Sequence, residues 1–378
     1  MDAKVKQTAA SILGDSATGR YDLSMAFISK ASNSVATGGI LTSLLPASLL
    51  ETRSGVAWRT GLASKNTIKL LGRFQGFNLF KNSTVEIGLL TFHKAKVSVS
   101  DQALLLVSET SREGAALRAI RLLQPSNDEG FELSSVSQSE IDSASWLPRS
   151  LKSLELKKLL SRIDLPVVSK MFEVKQGIRT GANNIFILNE QQLMMLPKAE
   201  HAWFRQAVGQ GSILGGSIRL RNYVFYPYAY DGTEIRSLES LQHEVPTYFK
   251  QFLLPNQAEL SQRARRSDEN WWKLSEHRSW LVNPKPKIVS TYFGSSGSFS
   301  FDLEGTLAVV QGFGWIRTSV DRIFSDVVTG ENEELSWEQS RTPYAFVAIL
   351  NSEFFQQVLG LHCPRVQGGQ FDLSARPG

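Results

Sequence analysis

The sequence predicts an α/β layer followed by a mixed α+β region, and three observations carry that reading. Between Leu23 and Val107, apolar runs of strand length alternate with segments of helical period, the pattern of layered α/β architecture. From Gln124 to Ser150 the chain turns rich in serines and acids, with few aliphatics until Trp146. Beyond it, short strand-like and helix-like pieces mix with aromatics: Trp203, Tyr223, Phe225, Tyr226, Tyr228, Tyr230, Trp271, Trp272 and Trp280. The expected organisation is a first domain over 1–123, a linker over 124–150 and a second domain over 151–378.

Taken in order, residues 1–20 are small and polar without a clear period and read as a loop or frayed end. Leu23, Phe27 and Ala31 share one helical face, and Gly38-Gly39 closes that helix. Ile40–Leu45 is a near-continuous apolar run ended by Pro46, which suits a strand covered on both faces, as in parallel sheets. A helix over Val56–Leu62 and strands over Ile68–Phe74, Val85–Phe92 and Ala103–Val107 follow. In the second domain, a helix over Leu151–Ile163 leads to a strand over Phe172–Gln176, the turn Gly177–Gly181 and a further strand.

Composition narrows the function classes. The chain is 42% hydrophobic and 20% charged, with a formal net charge of +5. That mildly basic balance suits an anionic partner. A lone cysteine, Cys363, excludes an internal disulfide framework. Five histidines without ligand spacing predict no structural metal site. No apolar run approaches the roughly 18–20 residues that span a bilayer, and no signal peptide is evident. The expected location is cytoplasmic.

Three texts in the first domain carry chemistry: Tyr21-Asp22-Leu23-Ser24-Met25-Ala26-Phe27, Gly38-Gly39-Ile40-Leu41-Thr42-Ser43-Leu44-Leu45-Pro46, and Leu79-Phe80 through Val85 to Phe92. In that order and spacing they resemble the second half of the catalytic domain of the TaqI-like group of adenine-specific DNA methyltransferases. Lys175-Gln176-Gly177-Ile178-Arg179-Thr180-Gly181-Ala182-Asn183-Asn184-Ile185-Phe186 resembles the start of the specificity domain in that family. Further agreement comes from the tyrosine-rich stretch Tyr223–Tyr230, Trp271-Trp272, Lys285–Val289, Leu350-Asn351-Ser352 and Gly368-Gly369-Gln370-Phe371. The sequence departs from the family at Asp22, usually asparagine, and at Ser24, usually aromatic.

The resemblance implies the C-terminal half of a Rossmann-like methyltransferase sheet followed by a mixed α+β target-recognition domain. It implies transfer of a methyl group from S-adenosylmethionine to the exocyclic amine of a flipped adenine in double-stranded DNA, within a restriction-modification or phage-defence system. Leu23 and Phe27 would line the adenine slot of the cofactor, and Phe92 would stack on the extruded base. The Gly-rich cofactor loop and the Asn-Pro-Pro-aromatic tetrapeptide are absent. Asn283-Pro284-Lys285-Pro286 reads as a proline-rich turn, and Gly209-Gln210-Gly211 lacks the strand–turn–helix setting that a nucleotide loop needs. The expectation is therefore a fragment inactive alone, with a separate chain as one source of the missing half. The alternative is a DNA-specificity module without catalysis.

For DNA contact, the residues themselves offer two groups. Arg179, Thr180 and Asn183 would stand at the tip of the glycine-bounded turn, where base edges can be read. Arg263, Arg265 and Arg266 form a basic run suited to phosphates, beside tryptophans that read as core.

Overall fold

The computed structural model describes residues 3–17, 21–76, 79–81, 85–95, 101–122, 125–141, 143–163, 167–228, 234–318, 341–363 and 370–373. Gln124, Tyr230 and Gly368-Gly369, named above, lie outside them. The chain divides into two compact units, Met1–Arg162 and Ile163–Val366, the latter joined by Gln370–Ala375.

The first unit is a mixed sheet with helices on both faces, the layered class that the alternating pattern predicts. Its helices are α1 (Ala3–Leu13), α2 (Leu23–Ser34), α3 (Val56–Ala63), α4 (Glu113–Leu122) and α5 (Leu151–Arg162). The strands β1 (Ile40–Pro46), β2 (Thr67–Gln75), β3 (Ile87–His93), β4 (Gln102–Glu109), β5 (Ser126–Asp128) and β6 (Phe131–Ser137) lie in the order β1-β3-β2-β4-β6-β5. Only β2 and β4 run parallel, from Leu70↔Leu104 to Gln75↔Glu109. On one face Met25, Ile28, Trp58 and Leu62 pack over Leu90 and Phe92; on the other Ala116 and Ala119 pack over Leu89, Leu106 and Leu133.

Four expectations change here. Residues 3–13 are helical, because Ala9 and Leu13, one turn apart on one face, find a buried seat that two apolar residues in a polar stretch do not advertise. The expected linker contains β5 and β6, and β6 pairs with β4 from Gln102↔Ser137 to Ser108↔Phe131. Phe131 and Leu133 are buried and Val136 packs on the opposite face, so the serines' polarity hid a half-buried strand. The run Ile40–Leu45 is an edge strand antiparallel to β3, not a central parallel one, and Ile40 is 67% exposed. Ala47 N–H donates to Glu86 O at 2.8 Å and Lys94 N–H to Gly39 O at 2.8 Å. Antiparallel alternation then directs the backbone groups of Ile40, Thr42 and Leu44 away from β3, toward the edge of the sheet. Pro46 sits in the same phase, where its missing N–H costs no ladder bond. Finally, the glycines do not close α2: it stops at Ser34, four residues before the left-handed Gly38.

The departure at Asp22 has a local reason. Its carboxylate accepts from Ser24 N–H at 2.8 Å and caps α2, a role that asparagine and aspartate fill alike. Arg59 is buried and donates to the carbonyls of Leu49, Thr52, Ser143 and Ala144 at 2.7–3.0 Å. One guanidinium thereby ties four carbonyls together and fixes the segment leading to Trp146, itself buried against Trp58.

The second unit contains two four-stranded sheets. Its strands are β7 (Phe172–Gln176), β8 (Ile187–Asn189), β9 (Phe204–Val208), β10 (Ile213–Leu214), β11 (Ser217–Ile218), β12 (Asn222–Phe225), β13 (Lys287–Thr291), β14 (Phe293–Gly294), β15 (Phe299–Asp302), β16 (Ala308–Val309), β17 (Gly312–Arg317) and β18 (Phe371–Asp372). One sheet runs β16-β9-β12-β8 and the other β15-β13-β17-β7, with β10-β11 and β14-β18 as small pairs. Trp271 and Trp272 are buried with Phe186, Phe225 and Tyr248 in the larger core, as the core reading of the tryptophans expects. The text Leu350-Asn351-Ser352 has two structural jobs. Asn351 bonds both N–H and C=O of Phe299 at 3.0 and 2.9 Å, and Ser352 caps the helix Glu353–His362. Gly209-Gln210-Gly211 does follow a strand, β9, but leads into the β10-β11 hairpin rather than a helix. It has no helix N-terminus on which to seat a phosphate.

Candidate nucleic-acid interface

The glycine-bounded turn begins where β7 ends. Gly177 N–H donates to Gly312 O at 3.0 Å and Ile178 N–H to Val309 O at 2.9 Å, which anchors its base. Arg179 and Glu276 then exchange both backbone bonds, each at 2.9 Å. Gly181 adopts φ +76°, and a Cβ there would collide with Ser275 Oγ; only glycine lets the turn lie this close to its neighbour. Past it, Asn183–Phe186 forms one helical turn, where a second strand was expected. Its last residue, Phe186, drops into the core.

This pairing sorts the expected tip residues. Arg179 is exposed over 58% of its side chain, and Asn183 is exposed. Thr180 is 1% exposed; its hydroxyl donates to Asn183 Oδ1 and accepts from Ala182 N–H. Thr180 therefore holds the turn's shape and does not stand at its tip.

The basic run divides in the same way. Arg263 points inward: Nε donates to Leu260 O at 3.0 Å, Nη1 to Thr180 O, and Nη2 to Trp271 O and to Lys273 O at 2.9 Å. Its guanidinium lies over the Phe186 ring at 4.7 Å. Burial, helped by nearby Arg266, pushes its pKa down to about 10. The side chain that the sequence suggests for phosphate is thus engaged by backbone carbonyls. Arg266 is half-buried and donates to Ser275 O at 2.7 Å. Arg265 alone of the three turns outward, 69% exposed. Its backbone sits at φ +67°, the one non-glycine residue in the left-handed region among the described residues.

Arg265 and Arg179 converge on one carboxylate. Arg265 Nη1 lies 3.0 Å from Glu276 Oε1, and Arg179 Nε lies 3.7 Å from Oε2. Arg278 contacts Oε1 at 2.8 Å and is itself tied to Gly177 O and Gln176 Oε1, both at 3.1 Å. Burial works to raise the Glu276 pKa, but Arg278, Arg265 and Arg179 outweigh it and hold the carboxyl below its usual range. Three guanidiniums on one carboxylate leave a local excess of positive charge. Next to them, exposed His277 stacks on Tyr228 at 4.4 Å between centroids. Glu276, His277 and Arg278 went unnoticed in the sequence. Their only signal is a short polar run after Trp271-Trp272, and its partners become visible only through the fold.

The candidate cofactor and base residues in the first unit fare differently. Leu23 and Phe27 lie on the face of α2 opposite the core, 42% and 71% exposed; the buried face is Met25, Ala26 and Ile28. Phe92 is 0% exposed and packs within the sheet–helix core. It offers no face to an extruded base, so the stacking expectation gives way to core packing. Among the described residues no cluster of histidine, cysteine, aspartate and glutamate could hold a metal ion, and no helix is long and apolar enough to cross a membrane.

No family model matches the sequence, and no curated protein matches it. The fold is similar to solved restriction-modification enzymes. The type IIL enzyme MmeI in complex with DNA aligns with TM-score 0.55 and 12% identity over 85% of this chain and 39% of its own. The type IIG endonuclease BpuSI aligns with TM-score 0.39 and 12% identity over 99% of this chain and 44% of its own. A nuclease-deletion mutant of the type ISP enzyme LlaGI, in complex with a DNA substrate mimic, aligns with TM-score 0.39 and 10% identity over 83% and 33%. This chain spans less than half the length of each. At these identities the likeness is one of fold, and only the first alignment bears weight.

Proposed function

We propose that this chain is the later part of a site-specific adenine DNA methyltransferase of a restriction-modification system, comprising half of the catalytic sheet and the target-recognition domain. The observation that carries the proposal is the pair of outward guanidiniums, Arg179 and Arg265, on a rigidly anchored turn. The chain's fold is similar to that of an enzyme solved with DNA. Lysine and arginine supply most sequence-independent affinity for duplex DNA through phosphate contacts. Arg179 and Asn183, on the turn, are the candidates for base contact.

S-adenosylmethionine would supply the methyl group to the exocyclic amine. Leu23 and Phe27 fit an apolar wall against its flat base, and a second wall and a phosphate-type loop would come from elsewhere. Among the described residues no strand pairs with β1 beyond β3, and Ile40 and Leu44 are exposed, which supports completion of the sheet by another polypeptide segment. What this chain contributes to catalysis is positioning. It binds the duplex and orients the target, and a near-attack geometry then carries the rate. Without the cofactor loop and the tetrapeptide, the chain alone should not methylate.

Two measurements test this. The full chain should bind a labelled random-sequence duplex at low salt with an affinity that falls linearly against log salt. It should transfer no label from S-adenosylmethionine to adenine-containing DNA. Absence of duplex binding, or transfer above a no-protein control, would sink the proposal.

A further inference from the structure

The Glu276 carboxylate has no role in the reading above, yet it is the common partner of Arg179, Arg265 and Arg278. A carboxylate presents two anionic oxygens to guanidinium groups in the same manner as a phosphodiester. Three features set it apart from an ordinary surface ion pair. Arg278, tied to Gly177 O and Gln176 Oε1, fixes Glu276 from the protein side. The backbone bridge between Arg179 and Glu276 fixes the spacing of the other two. The left-handed backbone of Arg265 turns its side chain back onto the carboxylate, a strained conformation that surrounding structure must hold. The two outer arginines remain more than half exposed, so an incoming anion reaches them from solvent.

We infer that Glu276 is an internal competitor for DNA phosphate: it occupies Arg179 and Arg265 in the free protein and yields them to a phosphodiester on binding. The Arg179 contact, at 3.7 Å, is the looser of the two and is the first to exchange. Glu276 thereby restrains non-specific attraction, because every phosphate that engages these arginines must displace a charged partner. It touches no reacting atom and acts only through the arginines, as a positioning residue. The inference rests on the DNA-binding reading.

The test uses the full chain and a labelled random-sequence duplex, titrated by anisotropy at several salt concentrations. Glu276→Gln keeps the size and removes the charge. It should bind several-fold tighter than wild type at low salt. Its plot of log affinity against log salt should keep the wild-type slope, because both proteins end with the same phosphates neutralised. The combined variant Glu276→Gln with Arg179→Ala and Arg265→Ala should lose the gain in affinity and show a shallower slope. Glu276→Asp, which keeps the charge, should bind no tighter than wild type. A purely structural ion pair would instead lower the melting temperature of Glu276→Gln and leave its affinity at or below wild type, and that result would overturn the inference. If Glu276→Gln does not fold, Glu276→Ala is read by the same criterion. If wild type itself binds no duplex, the DNA-binding reading fails first. If wild type binds and Glu276→Gln matches it in affinity, only the role of Glu276 fails.

Discussion

Arg263→Ala separates the structural arginine from the DNA-facing ones. The substitution removes one guanidinium that donates to the carbonyls of Leu260, Thr180, Trp271 and Lys273 and covers the Phe186 ring. A buried acceptor left without its donor costs about 1–3 kcal/mol where water cannot reach. Arg263 is only half-buried, so water replaces part of what is lost. A net destabilisation of about 3–4 kcal/mol of the second unit follows, at the upper end for a single substitution. For a unit of this size that is roughly 6–15 °C in melting temperature. Trp271 and Trp272 lie in the affected core, so tryptophan fluorescence reports the transition, alongside the signal of Trp58 and Trp146 in the first unit. Below the transition, DNA binding should keep the wild-type salt slope, since no phosphate contact has been removed. Arg265→Ala should do the reverse: stability within about 0.5 kcal/mol and a slope shallower by about 0.9. If Arg263→Ala melts like wild type while its salt slope falls, Arg263 contacts phosphate and the inward geometry is wrong.

Two further predictions concern stability. Phe92→Ala should destabilise the first unit by about 3–5 kcal/mol, the usual cost of a large aromatic in a core; an unchanged melting temperature would restore the base-stacking reading. The Tyr228 hydroxyl, pushed up to about 12 chiefly by burial, against the pull of Arg266, titrates later in the folded state than in the unfolded one. Stability of the second unit should therefore be intact below about pH 10 and fall as pH rises toward 12, by roughly 2–3 kcal/mol in total. Alkaline unfolding of Tyr228→Phe should lack this component, and an identical alkaline profile for the two proteins would refute the assignment.

Several elements were legible because their signals are local. Phe172–Gln176 is a strand by expectation and by structure, bounded by Gly177. The helix over Leu151–Arg162 and the strand over Thr67–Gln75 follow from period and run length alone. The tryptophan pair reads as core because indole rings of that size rarely remain in water. Tertiary structure alone decided the rest. Helical spacing places Leu23 and Phe27 on one face but does not state that the opposite face meets the sheet. An apolar run such as Ile40–Leu45 carries no label for centre or edge, which pairing with β3 alone assigns. Charge is written in the sequence, but direction is not. Arg263 and Arg265 are two residues apart, yet one is drawn inward by four carbonyls and the other is turned outward by a left-handed backbone. Glu276 acquired its place between Arg179 and Arg265 through a backbone bridge between distant segments, a contact that no local pattern encodes.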